Sequence, residues 1–85
     1  MLLRVRRARL EAGRELAEVA GSVGIVRQAL SRIEHGRELP WPALRTRLAE
    51  YYGVPADELF ADIDAAQAVL RTIAGRSVDE PDPLR

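Results

Sequence analysis

Leu16-Ala17-Glu18-Val19-Ala20-Gly21-Ser22-Val23-Gly24-Ile25-Val26-Arg27-Gln28-Ala29-Leu30-Ser31-Arg32-Ile33-Glu34-His35-Gly36 is the stretch that decides the fold. Leu16, Val19, Ala20 and Val23 recur at steps of three, one and three, which is one face of a helix. Gly24 breaks the pattern, and Val26, Ala29, Leu30 and Ile33 repeat it. Two short amphipathic helices joined by a glycine-containing turn make a helix-turn-helix pattern. On the second helix Arg27, Gln28, Ser31 and Arg32 share one strip away from the apolar residues. Arg makes bidentate contacts to guanine and Gln to adenine in the DNA major groove, so this strip is a candidate base-reading surface. The plainer alternative is a solvated face. Such faces usually mix Glu and Lys, whereas this strip meets no acid before Glu34.

On either side of that stretch the chain is short and cysteine-free. A single domain of 85 residues buries only roughly 60 % of its unfolded surface, so its core is small. With Trp41, Tyr51, Tyr52 and Phe60 as the aromatics, aliphatic contacts must fill that core, and dimerisation would add to it. The absence of cysteine excludes disulfides and thiolate metal sites. No apolar run approaches the roughly 20 residues of a membrane span, and Met1-Leu2-Leu3 leads into arginines rather than a signal core. These features suit a cytoplasmic protein. The net charge is zero but unevenly placed. Residues 1–48 carry ten Arg and five Glu, a net +5; residues 49–85 carry three Arg and eight acids, a net −5. A basic half on an otherwise solvated protein is a footprint of polyanion binding.

Taken in order, Leu2 to Ala12 reads as a first helix, with Leu2, Val5, Ala8 and Ala12 on one face and Arg4, Arg6 and Arg7 off it. Gly13 ends it. A second helix runs from Glu15 to Ser22, and a third from about Val26 to Glu34 or His35. Pro40 and Pro42 make a loop around Trp41. Pro42 suits the first turn of a fourth helix reaching Tyr52, with Leu44, Leu48, Tyr51 and Tyr52 inward. A short fifth helix spans Pro55 to Phe60. A sixth runs from about Ile63 to Ala74, with Ile63, Ala66, Leu70 and Ile73 as its stripe and Gly75 as its end. That stripe either covers the core or pairs across a two-fold axis, the expected dimer surface being the fifth helix, the sixth or both. Residues 76–85, polar and acidic with two prolines, read as a disordered tail.

Together these features resemble the Cro and phage-repressor helix-turn-helix family, of the xenobiotic-response-element type, from residue 3 to residue 60. The resemblance is carried by Arg9 four before Gly13, Ala20, Gly24, Ile25, and Leu30-Ser31-Arg32-Ile33-Glu34-His35-Gly36 with Pro40. Gly53-Val54-Pro55-Ala56-Asp57-Glu58-Leu59-Phe60 completes it. It implies that the third helix is the recognition helix, with Arg27, Gln28 and Arg32 at base-reading positions and Ser31 as a fourth. It implies that Arg9 and Glu34 form a partly buried structural ion pair. It places Arg37, Arg14 and the first-helix residues Arg6 and Arg7 at DNA phosphates. Two positions depart from the pattern. Leu16 stands where the family has a phosphate-holding Gln, and Val26 where it has a Ser or Thr helix cap. Either the arginines offset these lost polar anchors, or DNA binding is weakened or lost.

No residue set supports catalysis or a cofactor. His35 is the sole histidine and sits where it can cap the third helix. Asp57, Glu58, Asp62 and Asp64 fit no calcium-loop spacing and are better read as first-turn acids of two helices. Ser22 and Ser31 lack a neighbouring base, and Gly21-Ser22-Val23-Gly24 lacks the Lys of a phosphate loop. Trp41 reads first as a lid over the core and second as a stacking platform. The expectation is an all-α, lambda-repressor-like domain of five or six helices at 1–60, an additional helix at 61–75 and a tail at 76–85. Its expected function is sequence-specific binding of double-stranded DNA as a homodimer on a palindromic operator, without metal, cofactor or membrane. The alternative is an interaction module, such as an antitoxin, that binds a protein partner through the acidic C-terminal half.

Overall fold

Glycine sets where most of the helices stop. Gly13, Gly24, Gly36 and Gly53 adopt positive φ between 67° and 79°, and each follows closely on a helix end. In the computed structural model, which describes residues 2–79, the described residues form six helices and no strand. They are α1 (Arg4–Glu11), α2 (Leu16–Val23), α3 (Arg27–Glu34), α4 (Pro42–Tyr52), α5 (Ala56–Leu59) and α6 (Ala61–Asp79). The all-α fold expected from the sequence is the fold observed.

One apolar cluster holds α1 to α5 together. Val5, Val19, Leu30, Ile33, Leu44, Leu48 and Phe60 are fully buried, so each of the first four helices and the end of α5 contributes a side chain. Leu16, Ile25, Tyr51, Tyr52 and Val54 pack against its edge. Trp41 does not cover the core. It is 46 % exposed and forms the N-cap of α4, while neighbouring Pro40 is the buried residue of that loop.

α6 differs most from the sequence reading. It starts at Ala61 and runs through Gly75 to Asp79 rather than spanning 63–74. A glycine inside a helix costs only about 1 kcal/mol relative to Ala, so Gly75 alone does not end it. The helices that do stop at glycine reach a left-handed residue, and Gly75 is not one. Residues 76–79 of the proposed tail are therefore helical, and residues 80–85 lie outside the described residues. The stripe read on this helix also splits. Ile63 is buried, whereas Ala66, Leu70 and Ile73 are exposed.

The foot of α6 is tied to the rest of the molecule. Leu3, the N-cap of α1, offers no side-chain hydrogen bond. The free backbone N–H of Arg4 instead donates to Asp62 Oδ2 at 2.7 Å, so α6 supplies the cap that α1 lacks. Asp64 accepts two hydrogen bonds from Arg45 at 2.7 and 2.8 Å, and the Arg45 guanidinium lies 4.8 Å from the centre of the Phe60 ring. This pairing holds the Asp64 carboxyl below its usual pKa.

Candidate nucleic-acid interface

The α2–α3 turn is built from backbone geometry. Gly24 takes φ 79° and ψ 32°, a left-handed conformation that costs a residue with a Cβ about 1–2 kcal/mol. The next amide, Ile25 N–H, donates back to Ala20 O at 2.9 Å, closing the end of α2. Arg47 from α4 reaches the same corner and donates to Val23 O at 3.4 Å. Its cation therefore stands at the negative end of α2.

α3 has two chemically distinct faces. Ala29, Leu30, Ile33 and Glu34 are buried, and Arg27, Gln28 and Arg32 are exposed, with Ser31 half-buried between them. Arg27 and Gln28 have no hydrogen-bonding partner among the described residues. Arg32 Nε contacts Glu38 Oε1 at 3.3 Å, an exposed pair that orients the side chain weakly.

Glu34 is the one buried charged residue among those described, and Arg9 meets it from α1. Arg9 Nε donates to Glu34 Oε2 at 2.8 Å and Nη2 donates to Oε1 at 3.0 Å. The remaining arm, Nη1, donates to Arg14 O at 3.0 Å, which ties the α1–α2 loop into the same group. The glutamate side chain is 1 % exposed and the arginine side chain 13 %. A charge pair this deep is tolerable only because both carboxylate oxygens are satisfied. The Glu34 hydrogen bond raises the Arg9 pKa against the opposing effect of burial. The Tyr52 phenol lies in the same region, its oxygen buried without a partner, and burial raises its pKa.

The end groups of α3 are asymmetric. Val26 forms the N-cap in an extended conformation, offers no side-chain hydrogen bond and is 64 % exposed. At the other end His35 Nδ1 lies 2.7 Å from Ser31 O, the Arg37 N–H donates to Arg32 O at 2.8 Å and the Gly36 N–H to Ile33 O at 3.1 Å, so these three carbonyls are satisfied. The Arg37 side chain leaves this end exposed.

The other arginines expected at phosphates are dispersed. Arg14 is exposed at the start of α2, where it pairs with Glu18 at 2.9 Å. Arg6 is half-buried, with its Nε buried and without a hydrogen-bond partner. Arg7 lines a shallow depression with Arg4 and Glu58 between α1 and α5, to which α3 contributes no residue. Leu16 is half-buried against the core, which explains why the first turn of α2 presents no polar side chain at that position.

Arg45, Arg47 and the cap made by Asp62 were not found by sequence reasoning. Each acts across two elements far apart in the chain, and no spacing within one helix marks them. The first-turn reading of Asp62 and Asp64 describes their place on α6 and omits their partners.

This arrangement is a helix-turn-helix with an outward polar strip on its second helix. A model of the helix-turn-helix domain family matches residues 2–61, and the chain belongs to that family. No curated protein and no solved structure matches it significantly. No described helix is long and apolar enough to cross a membrane.

Proposed function

We propose that the protein is a sequence-specific, double-stranded DNA-binding transcriptional regulator. α3 lies in the major groove, where Arg27, Gln28 and Arg32 reach base edges and Ser31 adds a shorter contact. Arg37, directly past α3, and Arg14, at the start of α2, contact phosphates; Arg6 and Arg7 on α1 add positive potential. The observation that carries this reading is the two-faced α3, its polar strip exposed while Glu34 on the opposite face is locked to Arg9. A reading helix must present its side chains in a fixed register, and that buried pair fixes it. A single domain of this size makes few contacts, so the protein acts as a cytoplasmic homodimer on a palindrome with half-sites about one helical turn apart. It uses no cofactor and catalyses no reaction.

The test is binding selection from a random duplex library, with the double variant Arg27→Ala, Gln28→Ala beside the native chain. Enrichment of a palindrome by the native chain alone supports the reading. Equal enrichment by both moves the reading head away from α3. No enrichment at moderate salt defeats the proposal and favours the interaction-module reading, in which the acidic half engages another protein.

A further inference from the structure

Val26 does not do what its spacing suggests. It shares the helical period of Ala29, Leu30 and Ile33, and those three are buried. Val26 is 64 % exposed, more than any other large apolar side chain among the residues whose exposure is described. The backbone explains the difference. Val26 is extended, with φ −77° and ψ 151°, and precedes the first turn of α3. Successive side chains of an extended chain point to opposite sides. Ile25 packs against the edge of the core, so Val26 turns outward.

The position is also held. The Val26 carbonyl accepts from Ala29 N–H at 3.1 Å and from Leu30 N–H at 3.3 Å. A β-branched side chain has little freedom at χ1, so the two methyls stand in a preset place. Directly after them come Arg27 and Gln28, both exposed. An apolar, rigid residue thus opens the polar strip of α3, at the helix end where a capping hydroxyl would have been stabilising.

We propose that Val26 is a specificity-determining residue that reads the C5-methyl group of a pyrimidine in the major groove, the methyl of thymine. The proposal rests on the DNA-binding reading and deepens it by naming a base. A recognition helix meets base edges with its N-terminal residues, which puts Val26 beside the bases met by Arg27 and Gln28. Val26 has no group that could bond a phosphate or a polar base edge. The thymine methyl is the apolar feature of the major-groove edge, and contact between the two removes both from water. 5-Methylcytosine carries the same methyl at the same place, so the test separates the two sources.

The test uses the full chain and the duplex that it enriches from a random library. Each thymine is replaced in turn by deoxyuridine, which removes the methyl and keeps every hydrogen-bonding group. At one position the native chain is expected to bind about fourfold more weakly for each methyl removed, the effect of one buried carbon. Val26→Ala is expected to bind the parent duplex about fourfold more weakly and to be indifferent to that one replacement, while its response to the others is unchanged. Helical content should stay the same, because Val26 is exposed and neither residue caps α3. Cytosine and 5-methylcytosine are then placed at that position. Thymine preferred over both assigns the contact to thymine; thymine and 5-methylcytosine equally preferred over cytosine assign it to the methyl from either source. Cytosine bound as tightly as thymine overturns the proposal. So does a Val26→Ala chain that responds to every deoxyuridine as the native chain does. A chain that enriches no duplex overturns it together with the DNA-binding reading, whereas an enriched duplex without a Val26-dependent methyl overturns it alone.

Discussion

Glu34 illustrates how little of a residue's importance lies in its type. On a helix wheel it could be another surface acid; in the folded chain it is buried and holds Arg9 by two hydrogen bonds. Arg9→Ala, which strands that carboxylate, is expected to lower unfolding stability by about 3–5 kcal/mol, measured by urea denaturation. Val26 invites the opposite experiment. It caps α3 with a side chain that accepts no hydrogen bond. Val26→Thr is expected to raise stability by about 1 kcal/mol, visible as a higher denaturation midpoint at unchanged slope. Tyr52 adds a pH signature. Burial raises its folded pKa above the unfolded value of about 10, so the native state holds the proton more tightly. This contribution is complete below about pH 10 and is lost as pH rises toward the folded value. Tyr52→Phe is expected to flatten the alkaline loss of stability and, by removing a buried hydroxyl without a partner, to gain about 1 kcal/mol at neutral pH. Thermal melts of both chains from pH 7 to 11 decide this.

Among the elements, the first five helices were legible because each has a local signature: apolar residues at helical steps, a glycine at the stop, a proline at the start. Their observed ends differ from the sequence reading by at most two residues, as expected of boundaries set by hydrogen bonds, and those of α4 coincide with it. The two faces of α3 followed from spacing, while the partner of Glu34 came from the family resemblance. The length of α6 was read short because Gly75 was taken as its stop, and the place of its stripe stayed open because periodicity does not say whether a partner is present. The left-handed turn between α2 and α3 gives a sharper test. Gly24→Ala has ordinary space around its new Cβ, whose nearest contact is Arg47 Nη1 at 3.7 Å, so its cost is conformational. It is expected to lose about 1–2 kcal/mol by chemical denaturation. A much larger loss would mean that the turn is constrained by more than φ.

For the molecule as a whole, the sum of charges is uninformative and their placement is not. The +5 of residues 1–48 surrounds the α2–α3 unit, and the −5 follows it. Under the proposed function, in which Arg37, Arg14 and a second copy's equivalents grip phosphates, affinity falls as salt rises. With about four phosphate contacts, the slope of log K against log salt is expected to be near −3.6, at about −0.9 per phosphate. Replacing Arg37 by Ala in both copies should flatten it by about two contacts. A slope unaffected by that change would move the phosphate grip elsewhere on the basic half.

The cap on Arg4 bears on inheritance as well as stability. The family match ends at residue 61, yet Asp62, Ile63 and Asp64 supply a missing cap, a core side chain and the partner of Arg45. The segment recognisable by descent and the segment tied together by these contacts therefore end in different places. A recombination event that grafted a new C-terminal segment at residue 61 would discard three contacts of the helix-turn-helix domain along with the rest of α6. By these contacts the first turn of α6 belongs physically to the domain, although it lies past the end of the family match.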